Sequence, residues 1–172
     1  MIQNNAAPRM ADACAALCAM ADRLAQARGQ EQTQSKARAQ AQAQAPGTGD
    51  AAGGERRYLV EFGRAGAGIP AGPLWFVAAG AGGRNVFRGR GFRPELDDGS
   101  NGQARHFAGI VAAAARIGAP ATRWISIHVR RDGLETADGR LTEVALEFVT
   151  GIRSGDITPA GASTWLRARL CA

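Results

Sequence analysis

The sequence predicts a mainly α fold: a small helical domain over residues 57–172, preceded by a flexible N-terminal tail over residues 1–56. Three observations predict it. Large apolar residues number 32 in residues 57–172 and six in residues 1–56, so the core has to come from the later part. Three later segments place apolar residues at helical spacing. Residues 29–56 contain no large apolar residue.

Taken in order, residues 8–28 have helix-forming composition, with Met10, Leu17, Met20 and Leu24 making a narrow apolar stripe that can dock on the domain or pair with a copy of itself. Residues 29–56 alternate Gln with small or charged residues and then run into APGTGDAAGG; this reads as a disordered linker, because nothing in it offsets the entropy of ordering. Residues 57–172 read as one domain. Tyr58–Phe62 is a short apolar block compatible with a strand or a helix turn, and the glycine-rich stretch 63–96 is expected to wrap the helices as loops around one short buried helix or strand at 73–80. Asp98, Ser100 and Asn101 are N-cap types, and Gly118 with Pro120 is a stop signal, so a helix is expected at about 102–118. On it Phe107, Ile110, Val111, Ala114 and Ile117 share one face, opposite Arg105, Gly109, Ala112 and Arg116.

Residues 123–130 alternate, with Ile125, Ile127 and Val129 against Trp124, Ser126 and His128. That period favours a strand paired with Tyr58–Phe62 in a minor two-stranded sheet, with helix as the alternative. Helices follow at 139–152, through Leu141, Val144, Ala145, Phe148 and Ile152, and at 159–170, where Thr158–Pro159 supplies cap and first turn. Arg169 falls inside the apolar arc of the last helix and has to snorkel.

Composition limits function. The 172 residues carry net charge +6 and are 45% hydrophobic, but 37 of them are alanine. A two-domain enzyme is excluded by size, and a membrane span by the lack of about 20 consecutive apolar residues. Of 21 basic residues, 20 are Arg and scattered. Cys14, Cys18 and Cys171 read as free thiols in a reducing compartment, and the chain as cytoplasmic, with no cofactor and no metal.

Four constellations were weighed for chemistry. Gly66-x-Gly68-x-x-x-Gly72 lacks the context of a nucleotide-binding turn, since Pro70 sits where a helix would open. DDGSNGQARHF, residues 97–107, gathers Asp97, Asp98, Gln103, Arg105 and His106 at a helix start. Gln103 faces the core there and needs partners, either His106 or the backbone of loop 63–96. The same residues are the candidates for a catalytic site with His106 as general base. Glu143 and Glu147, one turn apart, read as a solvated face pairing with Arg. His128 with Trp124, Arg130 and Arg131 offers a thin nucleic-acid platform. The leading expectation is a non-enzymatic binding or interaction module whose Arg-rich surface meets a protein or an anionic partner. The alternatives are a small hydrolase-like enzyme at Gln103 and His106, or a nucleic-acid binder using Arg88, Arg90, Arg93, Arg130 and Arg131.

Overall fold

The computed structural model describes residues 12–41 and 51–172, so the expectations for residues 1–11 and 42–50 lie outside the described residues. Among the described residues there are seven α-helices and no β-strand: α1 (Ala13–Ala41), α2 (Ala51–Ala67), α3 (Trp75–Gly80), α4 (Gln103–Ile117), α5 (Ala119–Ile125), α6 (Ala137–Ser154) and α7 (Ala162–Leu170). The mainly α class holds. The minor sheet does not, because both of its expected strands are helical: Tyr58–Phe62 lies within α2, and residues 123–130 form α5 and a π-helical turn, Ser126–Arg130.

Asp12 starts α1 as an N-cap, its carboxylate accepting from the backbone N–H of Ala15 at 2.8 Å. The first turns of α1 then bury Cys14, Leu17, Cys18, Met20 and Ala21 in the same core as α2, α4, α6 and α7. Of the two roles expected for this helix, docking on the domain is the one seen, and the docked turns belong to the same core as residues 57–172. The expected linker is corrected, since residues 29–41 and 51–56 are helical. α1 and α2 run antiparallel: the Cβ position of Gly66 lies 3.5 Å from Met20, Arg28 covers the Tyr58 ring, and Glu31 meets Arg57 at 3.6 Å. Past Arg28 the described residues of α1 are exposed, so that part stands off the core.

α4 is the central helix, and its broadest contact is with α2. The reason lies in small residues. A Cβ added at Gly66 would lie 2.6 Å from Ala108 Cβ, and one at Gly63 would lie 3.0 Å from Ala112 Cα. The expected loop 63–96 is therefore helical in its first five residues, and glycine there serves close helix approach. Gly68, at φ +63°, ends α2 in the left-handed conformation, its N–H bonding Arg64 O. The expected polar face of α4 is corrected as well: Ala112 is fully buried and Ile117 is exposed.

α4 also meets α6, and Phe62 of α2, Phe107 of α4 and Phe148 of α6 cluster in edge-on and tilted pairs with centroids 5.4 to 6.1 Å apart. Burying such rings removes 150–250 Å² each and dominates the core energetics. α6 opens on Thr136, whose Oγ1 accepts from Gly139 N at 3.0 Å, and closes at Gly155. α7 packs on α1. Arg169 snorkels out of it to Glu147 and lies over the Trp165 ring, while Glu143 pairs with Arg123.

Cys14 and Cys171 are joined by a disulfide, and only Cys18 is a free thiol. Three free thiols were expected. The fold overturns that by bringing the first turn of α1 against the C-terminus, a pairing that no local spacing signals.

Candidate functional site

The turn before α4 is built from short polar side chains. Asp97 accepts from Gly99 N at 2.9 Å, Asp98 from Ser100 N at 2.8 Å, and Ser100 Oγ from Gly102 N at 3.2 Å. Gln103 is almost wholly buried, and its Nε2 donates to Asp98 Oδ1. The expected partner, His106 or loop backbone, is thus replaced by a loop side chain. The effect is to hold the turn against the start of α4. The hydrogen bonds from Ser100 and Gln103 outweigh desolvation and keep the Asp98 carboxyl below its usual range.

His106, one turn on, is buried, and its hydrogen-bond partner comes from α6. Its Nε2 lies 2.9 Å from Thr142 Oγ1, and its Nδ1 lies 3.7 Å from Asp138 Oδ2. Thr142 Oγ1 is 3.2 Å from Ser126 Oγ, which donates to Asp132 Oδ2 at 2.8 Å. One buried chain of polar groups therefore joins α4, α6, the π-helical turn and the loop after it. Burial lowers the His106 pKa despite the nearby Asp138, so the ring is neutral at neutral pH. The proton assignment that satisfies every bond of the chain runs from His106 Nε2–H to Thr142 Oγ1, from the Thr142 hydroxyl to Ser126 Oγ and from Ser126 to Asp132, leaving Nδ1 without a proton on the side of Asp138.

Beside this chain lies a groove of about 310 Å³ between α3, α4 and α5. Along α4 its lining changes from Arg105 and His106 through Ile110 and Ala113 to Ile117. Polar groups (Asp98, Ser126, Arg130 and Asp138) gather around His106, and Ile69, Trp75, Phe76, Ile125 and Val129 supply apolar wall. Phe76, Ile117, Ile125 and Val129 are exposed, so much of the apolar surface left in water borders this one groove.

Most acidic groups there are engaged. Asp98 holds Gln103 and Ser100, Asp132 accepts from Ser126 and pairs with Arg130 at 3.3 Å, and Asp138 faces His106. Arg105 is half-buried and has no carboxylate partner among the described residues.

The structure thus brings Asp98, Gln103, Arg105 and His106 together. It does not gather the five arginines of the nucleic-acid reading. Arg90 pairs with Asp97 at 3.7 Å, and Arg93 bonds Ala168 O and lines a separate groove with Arg123, Arg140 and Arg169. Arg130 and Arg131 lie at the end of the π-helical turn, and Arg88 is exposed in the segment before Arg90. His128 stacks on Trp124 and bonds its carbonyl, so that pair is closed on itself. Sequence reasoning missed Thr142, Ser126, Asp132 and Asp138. Thr142 did carry a signal: a hydroxyl next to Leu141 and one turn from Ala145, within the buried arc of α6.

Glu143 and Glu147 pair with Arg123 and Arg169, both pairs exposed. Among the described residues no helix is long and apolar enough to cross a membrane. Comparison of the chain with family models, with curated proteins and with solved structures gave no match in any of the three.

Proposed function

We infer that the protein is a non-enzymatic binding module, and that the groove between α3, α4 and α5 takes a small amphipathic molecule with an anionic head. The observation that carries this reading is the graded lining along α4, from Arg105 and His106 to Ile110, Ala113 and Ile117. A ligand pocket is a concave, mostly apolar site with a few placed polar groups, and about 300 Å³ suits a small ligand. The unpaired guanidinium of Arg105 recognises the head, and the apolar wall takes the chain.

The runner-up is a hydrolase-like enzyme with His106 as base, supported by Asp98 and Arg105 nearby. What favours it is a neutral imidazole at the groove with Asp138 facing Nδ1. What weighs against it is that Nε2 is committed to Thr142, which is buried and is not part of the groove lining. The cytoplasmic location read from the sequence calls for reduced thiols, whereas the Cys14–Cys171 disulfide suits an oxidising compartment. The binding reading is independent of that choice.

The test is titration with a dansyl-labelled medium-chain fatty acid, followed by its emission. Wild type should bind with a blue shift. Ala113→Phe fills the apolar part and should abolish binding. Arg105→Gln should weaken it about tenfold or more, the size of a lost charged hydrogen bond. Binding unchanged in both variants refutes the reading. Turnover of an ester of the same acid that is lost in His106→Ala and kept in Arg105→Gln would favour the enzyme instead.

A further inference from the structure

The three sulfur atoms of the chain meet at one place. Cys14 and Cys18 lie on the same face of α1, one turn apart, and Cys171 follows α7 at the C-terminus. All three sulfurs lie within 4.8 Å of one another. Cys14 is bonded to Cys171, and the free Cys18 thiol lies 3.8 Å from Cys171 Sγ. The thiol is within reach of the disulfide but beside the bond, because its sulfur is also within 4.8 Å of Cys14 Sγ, so a rotation of the Cys18 side chain has to bring it in line with the bond before attack.

We propose that Cys14, Cys18 and Cys171 form an intramolecular thiol–disulfide exchange site in which the C-terminal sulfur bonds either cysteine of α1. In the exchange Cys18 gives up its proton to solvent, and its thiolate attacks Cys171 Sγ. The Cys18–Cys171 bond forms as the Cys14–Cys171 bond breaks. The electron pair of the broken bond leaves on Cys14, which takes a proton. No electrons enter or leave the protein, so no external oxidant or reductant is required.

The surroundings fit this role. The C-terminus is laid beside the segment before the groove, with Arg93 N bonding Leu170 O at 2.8 Å and Ala172 N bonding Gly91 O at 2.9 Å. That segment also receives α1, since Ala13 N bonds Arg90 O at 2.8 Å. Exchange moves the covalent pin one turn along α1, about 6 Å of helix rise. Cys18 is in a buried place, which raises its pKa; Arg167 of α7 opposes that, and Asp12 and Asp22 of α1 add to it. Exchange is therefore slow at neutral pH and faster in alkali, where more thiolate is present.

The experiment is disulfide mapping of the full chain. Purified protein is held at pH 7 and at pH 9 without added oxidant, quenched in acid and alkylated. Trypsin releases Cys14 and Cys18 together in Met10–Arg23, and Cys171 in Leu170–Ala172. Fragmentation of the linked pair shows which α1 cysteine carries the alkyl group. Both isomers should be found, approaching a constant ratio faster at pH 9. Cys18 as the only alkylated cysteine at every time and pH would overturn the proposal. In a glutathione redox buffer, Cys14→Ser should form the Cys18–Cys171 bond as Cys18→Ser forms Cys14–Cys171. Failure of the first under conditions where the second closes would overturn it equally. The wild-type arm needs no variant to fold.

Discussion

Gly63→Ala is expected to destabilise the protein although alanine is the better helix former. A Cβ at residue 63 would stand 3.0 Å from Ala112 Cα and 3.3 Å from Ala108 O, and nearer still to Ala112 Cβ. Carbon atoms pack best at about 3.5–4.0 Å, so α2 and α4 would have to part by roughly 1 Å. The neighbours include main-chain atoms of a central helix, which cannot rotate away. Overpacking of this kind costs about 1–3 kcal/mol, and the rigid neighbours place Gly63 near the upper end. Helix propensity returns about 1 kcal/mol. The net loss is about 2 kcal/mol, equivalent to a fall of roughly 4–8 °C in Tm for a domain of this size. Urea unfolding followed by far-UV circular dichroism measures it. Gly72→Ala is the control, since an added Cβ there meets nothing within 4 Å. A Gly63→Ala protein as stable as wild type, or more so, would refute the close α2–α4 approach.

Other perturbations follow the same physics. Thr142→Val keeps the shape but removes the hydroxyl between His106 and Ser126, and should cost about 1–3 kcal/mol in chemical unfolding. Tyr58→Phe should be neutral or stabilising by up to about 1 kcal/mol, because the buried Tyr58 hydroxyl has no hydrogen-bond partner among the described residues; a marked loss would refute that. His106 has a lowered pKa in the fold, so as pH falls through about 6.5 the unfolded chain takes up a proton that the native protein refuses. Stability should fall from there toward the folded pKa, by at most about 1.4 kcal/mol per pH unit, and His106→Leu should flatten that part of the profile. Glu143→Gln should change stability by less than about 1 kcal/mol, since the pair with Arg123 is largely exposed.

The helices legible in the sequence are those in which large apolar residues mark the buried side. α4 and α6 are of this kind, through Phe107, Ile110 and Val111 and through Leu141, Phe148 and Ile152. α2 is less so, because Gly63 and Gly66 carry its close approach to Ala108 and Ala112. Where backbones come that close, burial is carried by residues that a count of large side chains ignores. The docking of α1 is hard to read for a related reason: small residues, Ala13, Cys14, Cys18 and Ala21, are buried beside Leu17 and Met20. Residues 123–130 misled differently. Ile125 and Val129 border the groove and remain exposed, so their alternation with Trp124 and His128 reports no buried sheet face.

The site was half legible, and the missing half decides its chemistry. Gln103 and His106 stood out as polar residues at apolar positions on one helix. Their partners come from the turn before it and from the start of α6, separated from His106 by 36 residues in the case of Thr142. With only Gln103, Arg105, His106 and Asp98 in view, a histidine beside carboxylates suggests a base. With Thr142 on Nε2 and Asp138 facing Nδ1, the ring is a buried joint between α4 and α6. A base needs a free ring nitrogen, and here Nε2 is spent on the hydrogen bond that ties α4 to α6 while Nδ1 faces Asp138. The groove needs neither nitrogen free to bind. Arg105 and Trp75 are half-buried, and Phe76, Ile117, Ile125 and Val129 are exposed already, while the buried chain behind them fixes the wall they stand on.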